Sequence, residues 1–445
     1  MHQNKKIIVL GNGFRAMITA YLLSKRYSDI SIVSNSENIH GIMSPIKWQG
    51  GNFDKGYQFF DGLNLETKKI LENFIGENIL HNFGYGAATF TNNKIYKHHA
   101  IPYWPHNGIF FSLKSFFELL LNSFEKENSF QVDSYKDLLQ TIPKNIRNIL
   151  EKACVRNTGL SSDKLSHLVS NFSPFLHYRQ TILPDAISLY LKKNNFFEKR
   201  IACRRKSLNL DEISLYPKGK HIGHVATIME KKLRHKGVKF IKSNKSLISK
   251  KNGDINLTIQ DANLYPDLIF IVAELDDILN FFTEKITDKK NNHYVSQVFI
   301  YFSVENVISD HQYVHGNDIN LLINRINNLS LYGEKTFDGK SVISVEMPTE
   351  INSDLWNNTE KYLPKIWEEV KKMKFIKKNE RYISYKIFNI PKTLSVPLLN
   401  FEDSKRKLLN HIKTNYQNKI ETPGLGVITR KKFIESTNNL IKKYE

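Results

Sequence analysis

Four apolar residues in a row, Ile7-Ile8-Val9-Leu10, run from Lys6 into Gly11-Asn12-Gly13. A short β-branched run closed by glycine predicts a strand ending in a tight turn. Ala16 to Ser24 follows with the pattern of a helix. Asp29 to Ser34 then alternates and is rich in β-branched residues, which predicts a second strand. Strand, helix and strand in this order imply a parallel pair and the start of an α/β fold. Further on, Asp254 to Gln260 alternates apolar and polar residues. Asp267 to Ala273, Val295 to Val304 and Ser341 to Met347 read as strands. Leu113 to Leu121, Val132 to Ile149, Ser161 to Ser170, His224 to Lys236, Thr359 to Met373 and Lys431 to Lys443 carry helical patterns. No internal repeat is present. No apolar run reaches the roughly 18 residues of a membrane span, though the Phe-rich segment from Gly108 to Leu121 keeps peripheral membrane contact open.

The junction between the first strand and helix carries the most specific chemistry. Gly11-Asn12-Gly13-Phe14-Arg15-Ala16 is a G-x-G-x-x-[GA] turn. Gly11 permits the tight turn, Gly13 leaves no side chain between backbone and a phosphate, and Ala16 lets helix and strand pack closely. The helix N-terminus offers free N–H groups and a positive dipole to a pyrophosphate. By itself the turn allows NAD, NADP or FAD. The end of the second strand should carry an acid for the adenosine ribose. Ser34 stands there, followed by Asn35 and, slightly downstream, Glu37; Ser34 or Asn35 would make only a weaker ribose contact.

Composition narrows the class. A chain of 445 residues with 28 Phe and 20 Tyr can bury a large core and make two or more domains. The net charge is +20, from 64 Lys and Arg against 44 Asp and Glu. That fits an anionic small-molecule partner or a Lys-, Asn- and Ile-rich compositional bias. The basic residues are dispersed in short clusters such as Arg204-Arg205-Lys206, which argues against specific nucleic-acid binding. Cys154 and Cys203 have no zinc spacing and no C-x-x-C, so no metal site is expected, and a single disulfide is open though nothing in the pattern asks for it. With no signal-peptide pattern before the first strand, a cytoplasmic location is expected. No G-x-S-x-G, H-E-x-x-H or Walker A sequence is present to suggest hydrolysis.

Three further segments give the chain a resemblance. Gly41-Ile42 leads to Phe53-Asp54-Lys55-Gly56-Tyr57-Gln58. Tyr216-Pro217-Lys218-Gly219-Lys220 is followed by a helical pattern and Gly237-Val238. Thr422-Pro423-Gly424-Leu425-Gly426-Val427 precedes the last helical pattern. With the first turn, these resemble the FAD-dependent amine oxidase, protoporphyrinogen oxidase and UDP-galactopyranose mutase superfamily. The resemblance covers about half the chain, and the family's Gly-Asp motif before the last helix is replaced by Pro423-Gly424-Leu425-Gly426. It implies a glutathione-reductase-like fold. A Rossmann-like FAD-binding domain would be built from residues 1–90, 200–285 and 385–445, with an inserted α+β substrate domain of residues 91–199 and 286–384. It also implies FAD as cofactor, held by Gly11, Gly13, Phe14, Arg15, Ala16, Ser34, Asn35, Gly41, Ile42, Asp54, Gln58, Val238, Gly424 and Gly426.

Substrate residues are sought in the inserted domain. Ile101 to Asn107 resembles a segment of the mutase branch, and its Tyr103, Trp104 and Asn107 would offer aromatic faces and an amide to a ring-shaped ligand. Arg179 and Arg381, each beside a tyrosine, offer forked donors for a diphosphate or carboxylate. The expected activity is an FAD-dependent oxidoreductase on a small polar substrate, tilted toward carbohydrate or sugar-nucleotide metabolism. A flavin-dependent sugar-nucleotide mutase with no net redox, and a non-catalytic nucleotide-binding or scaffold descendant, are the alternatives. The residues name no catalytic group.

Overall fold

The computed structural model describes residues 3–34, 38–84, 86–97, 102–126, 132–171, 176–203, 213–243, 245–251, 253–336, 338–427 and 429–444. Asn35, Glu37, Ile101 and Arg204-Arg205-Lys206 lie outside the described residues.

The first strand, β1 (Gln3–Leu10), runs into helix α1 (Gly13–Leu23) and returns as β2 (Tyr27–Ser34). β1 and β2 lie side by side in parallel, with Ile7 opposite Ile30. Three later segments complete a five-stranded parallel sheet. Lys239–Lys242 extends it beyond β2, Leu268–Ile271 pairs with β1, and Ile420–Glu421 closes the far edge. Side chains alternate across β1. Ile7 and Val9 join α1 and the helices Leu65–Ile75, Ile222–His235 and Arg430–Lys442 in one core. Ile8 and Leu10 face a three-stranded meander (residues 246–264) and the helix Phe401–Tyr416. A parallel sheet covered on both faces needs the unbroken apolar run that residues 7–10 supply.

The second layer is a seven-stranded mixed sheet in the order Ser384–Pro397, Asn292–Val304, Ser341–Pro348, Arg325–Asn328, Tyr313–Gly316, Ala87–Thr91, Lys94–Lys97. Helix Leu363–Lys372 covers one face with Ile366, Trp367 and Val370. A helical layer around Trp104, Tyr135 and Cys154 packs at the end of this sheet, where Val295 and Val396 join its core. Cys154 and Cys203 are free thiols.

Two helical patterns resolve differently from expectation. Val132 to Ile149 is two helices, Tyr135–Gln140 and Lys144–Thr158, with Pro143 at the break. Proline lacks an N–H and pushes the residue before it out of the helical region. Ser161 to Ser170 forms only the short turns Ser162–Lys164 and His167–Asn171. Here Leu165 bridges to Leu398 and Ser166 to Ser134, so tertiary pairing overrides the local pattern. The sheets also bear on the expected domain boundaries. Ser384–Pro397 is hydrogen-bonded along most of its length to Asn292–Val304, and Ala87–Thr91 joins the same sheet. Divisions drawn at 90 and 385 leave both strands with the nucleotide segments, whereas their partners lie in the seven-stranded sheet.

Candidate functional site

The carboxyl ends of the parallel strands open on a cavity of about 740 Å³. Gly11, Gly13, Phe14 and Arg15 line it after β1, Val33 at the end of β2, Lys245, Ser246 and Leu247 beyond the strand Lys239–Lys242, and Val272, Ala273 and Glu274 after Leu268–Ile271. Gly41 and Ile42, Asn292 and Tyr294, residues 392–395, and Gly426, Val427 and Arg430 close the remaining sides. Open parallel sheets place ligands at this end of the strands.

The turn is built by glycine where only glycine fits. Gly11 has φ +140°, and a Cβ there would stand 2.7 Å from Val272 Cγ2 and 2.9 Å from its carbonyl oxygen. Gly13, at φ +64°, and Gly41, at φ +59°, face each other: a Cβ on Gly41 would approach Gly13 Cα to 3.3 Å. The Gly13 N–H donates to the Ile39 carbonyl at 2.8 Å, which fastens the two loops. Asn12 precedes α1 in an extended conformation, its side chain makes no capping bond, and no acid stands in the first turn. The helix therefore presents an uncapped N-terminus to the cavity.

Several expected contacts serve the frame. Arg15 donates to the Val427 carbonyl at 2.7 Å and to Glu274 at 3.2 Å, so it ties the first turn to the last loop. Ala16 is fully buried against the core. Ser34 is buried, and its carbonyl accepts from Ser243 N–H. Asp54 is sealed from solvent and accepts from Tyr216 Oη at 2.5 Å and from Ile222 N–H at 2.8 Å. It caps a helix N-terminus, and burial raises its carboxyl to about 7. Gln58 meets Arg430, whose guanidinium donates to the Gln58 carbonyl, the Phe59 carbonyl and Gln58 Oε1. The Arg430 guanidinium lies 4.8 Å from the centre of the Phe60 ring, and burial lowers its pKa to about 10. Val238 belongs to the core beside α1. Gly424 is pressed against Phe433, where a Cβ would come within 2.3 Å of the ring.

The substrate candidates lie apart from this cavity. Trp104 and Asn107 line a second one, about 720 Å³, which shares no lining residue with the first. The Trp104 indole N–H is bonded to Gln180 Oε1 at 2.8 Å. Tyr103 packs beside Tyr96, Arg179 pairs with Glu198 at 3.1 Å, and Arg381 is exposed. Lys245 to Leu247, Glu274, Val427 and Arg430 were not legible as site residues. The first two groups follow parallel strands, so strand ends were the available signal; nothing local marks Arg430. Among the described residues, no group of three His, Cys, Asp or Glu side chains could hold a metal ion.

No protein-family model matches the sequence, and no curated protein matches it. Solved structures do match its shape. Reduced UDP-galactopyranose mutase superposes with a TM-score of 0.74 at 12% identity, covering 99% of this chain and 94% of that one. Putrescine oxidase bound to putrescine gives 0.61 at 9% identity, over 100% and 98%. A fatty acid isomerase from P. acnes gives 0.58 at 9%, over 100% and 99%. The chain shares the α/β fold of these three structures.

Proposed function

We propose that the chain is a flavoprotein that binds FAD in the 740 Å³ cavity and acts as an oxidoreductase on a small polar substrate. The observation that carries this reading is the cradle itself: two glycines face each other beside an uncapped helix N-terminus, at the carboxyl ends of a parallel sheet. The volume lies within the range of roughly 300–1,000 Å³ usual for cofactor and ligand sites. The residues present suit the group. Gly11 to Arg15 and Gly41 would hold the pyrophosphate, Val33 and Lys245 to Leu247 would flank the adenosine, and Gly426, Val427 and Arg430 would stand at the opposite end. FAD bound there supplies hydride or electron transfer. The chain's own part is to bind and orient it: backbone N–H groups face phosphate charge, and Arg15 holds the C-terminal loop against the turn. We also assign residues 87–97, 292–348 and 384–397 to one substrate-side sheet, which moves the expected boundaries inward to the ends of these strands.

The mutase of TM-score 0.74 favours a second reading, a sugar-nucleotide ring isomerisation with no net redox. One preparation tests both. The purified protein should show a flavin absorbance spectrum, or bind added FAD saturably in preference to NAD. Absence of any saturable FAD binding ends both readings. With FAD bound, anaerobic bleaching by candidate amines, sugars or sugar nucleotides identifies an oxidoreductase. Turnover of a sugar nucleotide only after chemical reduction of the flavin identifies a mutase.

A further inference from the structure

The helix Ile109–Lys126 is apolar on both its inner and its outer face. Its inward face packs Leu119, Phe111 and Phe116 on the helical-layer core, beside the buried Ser112 and Ser115. Asn145 Nδ2 donates to Ser115 Oγ at 3.0 Å, and Glu118 accepts from the Lys144 N–H, so this face is fixed against the helix Lys144–Thr158. The outward face carries large apolar residues too: Phe110 is 86% exposed, Leu113 41%, Phe117 59% and Leu121 63%. Spacings of three, four and four keep all four on one stripe. An ordinary surface helix keeps its outer face polar. Nothing in the fold rewards four large apolar side chains held in water, and a contiguous patch of this kind marks an interaction surface.

Charge indicates what covers it. Lys114 shares the stripe and is exposed, and Glu118, the acid beside it, is turned to the Lys144 N–H. Phe116 stacks on Phe197, which joins this helix to the neighbouring segment of the layer. There Ile187, Leu189 and Tyr190 are also exposed, with exposed Lys193 and Lys199 nearby. A second copy would bring another chain of net charge +20 against this one. Among the described residues, no helix is long and apolar enough to cross a membrane. A stripe about 16 Å long, with aromatics on it and lysines beside it, suits a helix lying in the plane of a lipid interface. We propose that this face docks on an anionic lipid surface: the Phe and Leu side chains enter the headgroup boundary while Lys114, Lys193 and Lys199 meet the headgroups.

Vesicle flotation of the full chain tests this. Vesicles of three parts phosphatidylcholine to one part phosphatidylglycerol should carry the protein upward at low salt. Pure phosphatidylcholine should carry far less, and added salt should release the protein. The double variant Phe110→Ser/Phe117→Ser should partition roughly tenfold less or weaker still. Lys114→Glu, which leaves the apolar stripe intact, should lose about tenfold on the anionic vesicles alone. Matched circular dichroism melts establish that both variants fold. Failure of the native chain to float with anionic vesicles overturns the proposal, as does a folded double variant that floats as well as the native chain. A dimer in sedimentation equilibrium that the double variant dissolves, with no vesicle binding, assigns the face to a second copy.

Discussion

Gly13 and Gly41 are separated by 28 positions in sequence, yet a Cβ on Gly41 would press to 3.3 Å from Gly13 Cα, and one on Gly13 to 3.3 Å from the His40 carbonyl oxygen. Both have left-handed φ, which costs an L-residue roughly 1–3 kcal/mol before any clash. Gly13→Leu should therefore abolish saturable FAD binding, and Gly41→Val should weaken it although Gly41 lies outside the first turn; flavin fluorescence titration reads both. Asp54 carries a different prediction. Its carboxyl sits at about 7 in the folded chain because of burial, whereas it ionises near 4 when unfolded. Its contribution is fully present below about pH 4 and is lost as pH rises through 7, at up to about 1.4 kcal/mol per pH unit. Asp54→Asn should flatten this slope between pH 4 and 7, measured as Tm against pH, since an amide can still accept from Ile222 N–H. A parallel slope in native and variant proteins would show that Asp54 stays ionised. The spacing of Phe53 to Gln58 singled out Asp54, but its role was hidden. Tyr216 and Ile222 reach it from more than 160 residues away, and no local pattern records that meeting.

Elements tell a similar story of local rules and distant partners. Strands of the parallel sheet were readable because burial on both faces demands apolar runs, while the break at Pro143 follows from proline chemistry alone. The short turns at 162–171 were not readable, because strand-like bridges made elsewhere fix them. Between the strands Arg325–Asn328 and Ser341–Pro348, Glu346 accepts from Arg325 Nε at 3.0 Å and Nη2 at 2.7 Å, and from Asn327 at 2.8 Å. Glu346→Ala leaves that guanidinium unpaired inside the sheet and should cost roughly 3–5 kcal/mol in urea unfolding. Arg430 joins the start of the last helix to the loop at Gln58 and Phe59. Arg430→Lys cannot reproduce three forked donor contacts, so it should loosen that helix, read as faster amide exchange across residues 430–442.

At the scale of the molecule, cofactor and fold should be thermodynamically linked. FAD at a hundredfold excess over its Kd stabilises a folded chain by about 2.7 kcal/mol, so added FAD should raise Tm measurably and NAD should not. An identical shift with both nucleotides would mean the cavity reads only a shared adenosine diphosphate. The first two strands of the doubly covered sheet and the first turn were legible because they lie together in the first 34 residues. The cavity was not, because segments near 245, 273, 292, 393 and 427 build its other walls.

The bond from Arg15 to the Val427 carbonyl spans 412 positions, and this sets a clock on biosynthesis. At about 5–20 residues per second, the turn waits roughly 20–80 s for its counterpart to be made. For more than half of that interval β1 lacks its neighbour at 268–271, and the cradle stands open until residue 427 is made. Ribosome-stalled chains ending near residue 415 should gain no protease resistance from FAD, whereas chains extended past 445 by a linker should. The turn at Gly11 to Arg15 is therefore made long before the segment that completes its cradle.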